Sequence, residues 1–451
     1  MSAMSRRRGF TLLEMMVAST ISLIVLAGAL WSAAELQRRG LMEESLMDAQ
    51  NALRIVREMI ESELQRAGSG MGSARLVFGT KSSVMDTRYV IAVGTNDLFD
   101  GKGLFPKDAT FKAPDSTGPY ADRVSDAVQM WSWDTEAPTG TTPSTAESII
   151  PLVACEKDPI YEKSTRAINN LCVNLSLADL TDRVVMVVKP STRMACVMTV
   201  KAVDTTSYPY TVVTVVPGFP GDTSAATGPC EDGTSPPSTD YYPYWAFKQS
   251  DPLYIIPLRG VAFRVNWMSG GPVLERQELT SVTAATGAPW VAPSEDVEMM
   301  KLRLGVMEDL NNPLSNVLWF PDPTSSPVRK AIDACIGTVC DILVPVQAAS
   351  ADGGADAGVA DDGGNNWTTQ GWTLGSNPTE TDSRDALMRR MRMVELRVTT
   401  RTTRADQTLV KMTGPTTYAL DADGNPRDGY RRRTSTLQVL PRNFDYAGVS
   451  P

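Results

Sequence analysis

The chain has no histidine. That absence excludes Ser-His-Asp and Cys-His catalysis, H-E-x-x-H zinc sites and every His-ligated metal. It also removes the commonest general acid–base side chain. Cysteine is scarce, six in 451 residues, and no two form C-x-x-C, so neither a zinc site nor a dithiol redox centre is expected. An excess of positive charge is lacking too. Lys plus Arg is 43 against 52 Asp plus Glu, a net charge of −9 with a pI near 4.9. That is not the balance of a protein that coats nucleic acid. Phosphate-binding loops fail on spacing. Gly68-Ser69-Gly70-Met71-Gly72 does not fit G-x-G-x-x-G and follows a helical pattern, and no Ser or Thr follows the lysine of Gly101-Lys102-Gly103. The expectation is a protein that is not an enzyme and uses no cofactor or metal. Its 42% hydrophobic and 21% charged residues are those of a globular chain, long enough for two or three lobes.

What is present is concentrated at the N-terminus. Arg6-Arg7-Arg8 is followed by Gly9, then by 25 residues from Phe10 to Ala34 that carry a single charge, Glu14. As a helix that run spans roughly 37 Å, enough to cross a bilayer. The basic leader places the N-terminus in the cytoplasm and the rest outside. An ordinary secretory signal peptide, cut after Ser32-Ala33-Ala34, is the plainer alternative. The run is longer than a signal's apolar core, carries a carboxylate, and continues as a helical pattern beyond Ala34. A carboxylate in a membrane costs on the order of 2–4 kcal/mol, so Glu14 implies a partner.

The segment R-R-R-G-F-T-L-L-E-M-M-V-A resembles the leader of type IV prepilins. The resemblance implies cleavage by a prepilin peptidase between Gly9 and Phe10, N-methylation of Phe10, and pairing of Glu14 with the cationic N-terminus of a neighbouring subunit. It divides the N-terminus into a cleaved leader (1–9), a transmembrane half of the stem helix (10–34) and a periplasmic half (35–67). In that second half Leu46, Ala49, Leu53, Val56, Ile60, Leu64 and Ala67 step by three or four residues and form one apolar stripe. Glu43, Glu44, Asp48, Arg54, Arg57, Glu58, Glu61, Glu63 and Arg66 are assigned to a solvated face. Glycines from Gly68 onward end the helix.

The remaining 384 residues read as a β-rich head. Short apolar or alternating runs recur at Tyr89–Val93, Ala127–Trp133, Arg183–Lys189, Tyr210–Val216, Leu253–Leu258, Val261–Trp267, Met299–Val306, Met393–Thr400 and Ser435–Leu440, separated by Gly, Pro, Asn and Asp. The expected fold class is α+β: a long pilin stem helix packed on an antiparallel β-rich head with large loop insertions. The head divides into 68–252, with an insertion, and 253–451. Ala137–Thr145 reads as a linker, and the acidic 348–366 stretch as a disordered loop. Asp421-Ala-Asp423-Gly-Asn425 opens like a calcium loop, but its twelfth position is Arg432, so a hairpin turn is the better reading.

The six cysteines, Cys155, Cys172, Cys196, Cys230, Cys335 and Cys340, are disulfide candidates for a head folded outside the cytoplasm. Six cysteines allow fifteen pairings, and sequence proximity favours Cys335–Cys340, Cys155–Cys172 and Cys196–Cys230. The arginines of Arg384–Arg404 and Arg431-Arg432-Arg433 would make a basic face for DNA or an acidic partner. Cross-strand pairing is the plainer account, and nucleic acid is not an expected partner.

The ordered segments G-V-A-F-R-V-N-W, D-V-E-M-M-K-L-R-L-G-V, M-R-R-M-R-M-V-E-L-R-V-T-T-R and D-G-Y-R-R-R-T-S-T-L-Q-V-L-P-R-N are similar to the head of PilW-type minor pilins. That similarity implies a subunit of the priming or tip complex of a type IV pilus. Its partners would be other minor and major pilins, the prepilin peptidase and a large tip adhesin. It would reside in the inner membrane and then in the pilus at the cell surface. A type II secretion J-type pseudopilin shares leader and stem. A tip-located ligand- or DNA-binding module is the alternative of another class.

Overall fold

The computed structural model describes residues 11–69, 75–78, 90–94, 111–135, 150–153, 170–173, 180–189, 194–204, 206, 211–217, 254–268, 271–279, 289–307, 316–324, 329, 343–345, 367–369, 391–414, 417–422 and 424–441. The 348–366 stretch, the Ala137–Thr145 linker and the leader lie outside these residues.

One helix, α1, runs unbroken from Leu12 to Arg66. At 1.5 Å per residue its 55 residues span roughly 82 Å. It ends at Ala67, whose backbone turns extended at ψ 131°, and Gly68 follows in the left-handed region at φ 73°, which costs glycine little. The backbone N–H of Gly68 then donates to the Trp131 carbonyl at 2.8 Å and stitches the helix end to a strand.

The strands are β1 (Arg75–Phe78), β2 (Ile91–Gly94), β3 (Ala127–Trp133), β4 (Ile150–Val153), β5 (Asn170–Val173), β6 (Val184–Lys189), β7 (Met194–Asp204), β8 (Thr211–Pro217), β9 (Tyr254–Met268), β10 (Gly271–Leu279), β11 (Val291–Glu295), β12 (Val297–Met307), β13 (Val317–Phe320), β14 (Leu343–Pro345), β15 (Trp367–Thr369), β16 (Met391–Arg401) and β17 (Arg432–Val439). Eleven form one sheet, with a main path β1-β7-β8-β5-β4-β9-β10-β11; β2 and β3 join it beside β9, and β6 lies between β7 and β9. A second sheet runs β13-β12-β16-β17, and β14 pairs with β15. β1 lies parallel to β7, and the other ladders are antiparallel. The fold is α+β, a long apolar N-terminal helix followed by antiparallel sheets.

The two runs expected on either side of Arg259-Gly260 are one strand, β9. Gly260 breaks the apolar pattern for a packing reason. A Cβ there would lie 2.8–2.9 Å from the indole of Trp131, so the ring occupies the space a side chain would fill. β9 pairs with β4 and β6 through its first half and with β3 and β10 through its second. It therefore joins strands from both sides of residue 253 into one sheet. Both sheets and the second half of α1 share a core that includes Val56, Ile60, Leu64, Phe263, Met300 and Leu396.

Candidate functional site: the stem helix and its seat

Two surfaces of α1 carry the functional question. The first is its uncovered N-terminal half. Leu12, Leu13, Met15, Met16, Val17, Ile21, Leu23, Ile24, Val25, Leu26, Leu30, Trp31 and Leu36 are all exposed. The helix is long and apolar enough to cross a membrane, with an 18-residue window of mean hydropathy 2.0. Two hydroxyls inside the run bond back to the helix. Ser19 Oγ donates to the Met16 carbonyl at 2.9 Å, and Thr20 Oγ1 to the Met16 and Val17 carbonyls.

At the tip, Thr11 is the N-cap in extended conformation. Its hydroxyl accepts from the Glu14 backbone N–H at 3.3 Å, and Glu14 Oε2 accepts from the Thr11 backbone N–H at 3.1 Å. Both halves of a capping box are present, and the carboxylate faces the positive end of the helix dipole. Thr11-Leu12-Leu13-Glu14 carries the S/T-x-x-E signature, a signal the sequence reading above leaves unused. Within a single subunit Glu14 thus caps its own helix. Gly9 and Phe10 lie outside the described residues.

The second surface is the seat of the stem on the head. Ala49, Val56, Ile60, Leu64 and Ala67 of the expected stripe are buried, and Leu46 and Leu53 are half-buried. Each fully buried Val, Ile or Leu side chain contributes about 1.5–3 kcal/mol. Of the acids and bases assigned to the solvated face, Glu63 departs: it is buried. Position 63 is three residues past Ile60 and four before Ala67, so it falls on the stripe, and only its charge argues otherwise. Arg259 donates to both Glu63 oxygens at 3.1 and 3.4 Å, and Arg276 Nη2 donates to Oε1 at 3.3 Å. Glu278 holds the other side of both arginines, at 2.6 Å from Arg259 Nε and 2.8 Å from Arg276 Nη2. The Arg259 hydrogen bond draws the Glu278 carboxyl below its usual range, and the same bond raises the guanidinium.

Two further contacts fasten the seat lower down. Thr400 Oγ1 donates to the Ala49 carbonyl at 3.1 Å, and Arg38 Nη2 donates to Asp406 Oδ1 at 2.7 Å. Asp406 also accepts from Thr408 Oγ1 at 2.6 Å and from its backbone N–H at 3.0 Å, and these bonds, with Arg38, hold its carboxyl below the usual range.

Among the described residues, several arginines of the arginine-rich segments are turned inward to carboxylates and carbonyls. The Arg432 side chain is enclosed between Glu298, at 2.6 Å, and Asp428, at 2.6 and 2.9 Å. Tyr120 donates to the same Asp428 at 2.8 Å. Burial pushes Asp428 up, but Arg432 outweighs it and the carboxyl ends below its usual range. Arg401 pairs with Asp296 and lies over the Tyr430 ring at 4.4 Å. Arg392 is buried and donates to the Met391 carbonyl, whereas Arg397 on β16 and Arg433 on β17 are exposed. Arg384, Arg389 and Arg390 lie outside the described residues.

Cys172 on β5 is buried and disulfide-bonded. Cys196 lies on β7 opposite Val77 and Val187, its side chain outside the described set. Cys155, Cys230, Cys335 and Cys340 are also outside it. Asp421 accepts from the Asn425 backbone N–H at 2.7 Å across a tight turn. No group of three or more metal-ligating side chains occurs among the described residues.

No curated protein and no solved structure matches the chain. The prokaryotic N-terminal methylation motif matches residues 4–30, the stretch that holds Gly9, Phe10, Thr11, Glu14 and the first half of the uncovered helix, and this supports a type IV pilin-like prepilin, pilin or pseudopilin in role.

Proposed function

We propose that the chain is a PilW-like minor pilin, a structural subunit of the priming or tip complex that initiates a type IV pilus. It carries out no reaction of its own. The prepilin peptidase cleaves after Gly9 and Phe10 becomes the methylated N-terminus. The chain waits in the inner membrane with its N-terminus cytoplasmic, then packs beside other minor and major pilins and presents a tip adhesin. The observation that carries this reading is the contrast along α1: a bare apolar half behind a methylation motif, continuous with a half locked into a folded head. Heterologous contacts between such stems build an open filament when the rotation does not close.

Glu14 has two states in this reading. In the lone subunit it caps its own helix. In the filament it turns to the cationic amine of a neighbour, which relieves two charges in an apolar setting. The head keeps its shape outside the cytoplasm through disulfides among the six cysteines. The near alternative, a J-type pseudopilin of type II secretion, uses the same leader and stem.

The test is the mass and sequence of the mature N-terminus. A chain that begins at N-methylated Phe10, with Gly9→Val blocking maturation, is the expected result. A chain that begins near Glu35 would show ordinary secretory cleavage and refute it.

A further inference from the structure

Between β16 and β17 the chain forms a lobe, residues 402–431, that reaches down the stem. Thr400 meets the helix at Ala49, while Asp406 meets it at Arg38. Those two helix positions are eleven residues apart, roughly 16 Å along the axis. The lobe is fastened within itself. Asp406 N–H donates to the Gly429 carbonyl at 2.8 Å, Lys411 N–H to Arg427 at 2.9 Å and Ala419 N–H to Lys411 at 2.7 Å. Arg38 lies one helical turn past Ala34, the end of the apolar run, so roughly 6 Å separates them. Once the run is embedded, the lobe meets the stem at the depth of the lipid headgroups.

The lobe is sided. Leu409, Met412 and Leu420 are 43%, 49% and 60% exposed. Arg404, Lys411 and Arg427 are exposed beside them. Of the described carboxylates, Asp406 is held by Arg38 and Asp428 by Arg432 and Tyr120, while the half-buried Asp421 accepts from Asn425. A chain with a net charge of −9 thus shows apolar and basic groups at the foot of its head. That combination suits an anionic lipid surface: the apolar side chains enter the acyl boundary and the bases meet phosphate.

The geometry points to a membrane-seated foot: Leu409, Met412 and Leu420 enter the headgroup layer, and Arg404, Lys411 and Arg427 pair with anionic phospholipid, while the stem is anchored in the same bilayer. With Arg38–Asp406 fixing the lobe to the stem, the foot sets how the head stands on the membrane before assembly. This rests on α1 being a membrane anchor.

The test is hydrogen exchange of the full-length protein, one copy per nanodisc, in phosphatidylglycerol discs, phosphatidylcholine discs and detergent. Residues 404–427 should exchange severalfold more slowly in phosphatidylglycerol discs than in detergent, with less protection in phosphatidylcholine and in high salt. The surface variants Leu409→Ser/Met412→Ser/Leu420→Ser and Arg404→Glu/Lys411→Glu/Arg427→Glu should each lose that protection while β9 and β12 keep theirs. Equal exchange of the lobe in discs and detergent, with residues 12–34 protected in both, would overturn the foot and leave the anchor intact. Lobe protection that appears only with several copies per disc would assign the surface to a second subunit and overturn it as well. Residues 12–34 unprotected in discs would refute the anchor, and the foot with it.

Discussion

The two halves of α1 are one continuous helix with opposite fates. From Leu12 to Leu36 its large apolar side chains stand in the open; from Ser45 to Ala67 one stripe is sealed against two sheets. The difference is not in apolar content alone, because the second half exposes Met47 and Ile55 as well. It lies in arrangement. The second half has one apolar face and one charged face, and β3, β11, β16 and β17 meet the apolar one. The first half is apolar all round, so no single face of a water-soluble head would satisfy it. Its first half is long and apolar enough to cross a membrane and has no cover within the described residues.

Substitutions should separate the halves. The largest effect is expected in the seat. Ile60→Ala removes a fully buried side chain from the core and should cost about 2–5 kcal/mol, read by denaturant unfolding of the detergent-solubilised protein. Leu26→Ala in the bare half should leave the same curve unchanged. A comparable loss from Leu26→Ala would show that the first half also packs on the head.

Next is Glu63. Glu63→Ala leaves Arg259 and Arg276 with Glu278 alone, and the lost charged hydrogen bonds should cost about 1.5–3 kcal/mol in the same assay. A neutral result would mean that the buried ion pairs merely offset their own desolvation.

A smaller effect follows from pH. Glu278 is held down first by its hydrogen bond from Arg259, and Asp406 first by Thr408 and then by Arg38. A carboxyl with a depressed folded pKa contributes stability that is complete above its unfolded value, about 4, and lost as pH falls through the lower folded value. The seat should therefore hold at neutral pH and loosen at both ends in acid below about pH 4. Asp296, raised by burial, contributes with the opposite sign and blunts the slope. Helix 38–66 should gain exchange in acid before strands β9 and β12 do. Simultaneous loss would contradict a seat weaker than the sheets.

Much of this was legible in the sequence where a pattern has one physical cause. The stem stripe follows from helical spacing, and Ala127–Trp133 coincides with β3. Where two causes compete, reading failed. Glu63 has the spacing of the core and the charge of the surface, and Arg259 and Arg276, about two hundred residues away, decide the matter. β10 was not among the expected strands, and on it Glu275 is buried against Arg264, its cross-strand partner on β9. Gly260 looks like a break until Trp131 is placed over it. The arginine-rich segments suggested a face, but Arg401 and Arg432 are used up by carboxylates that only the tertiary fold brings near. Thr11–Glu14 was a missed local signal of another kind, because the capping box is written in the sequence.

That capping box makes the central claim directly testable. Glutamine at position 14 can still accept the Thr11 hydrogen bond but cannot pair as an anion with a neighbour's amine. The measurement is the fraction of subunit recovered in sheared filaments against membranes for wild type, Glu14→Gln and Glu14→Ala. If Glu14 serves assembly by charge, both variants should be cleaved and inserted normally and both should be depleted from filaments. Glu14→Gln incorporated as well as wild type would contradict the account and reduce Glu14 to a helix cap.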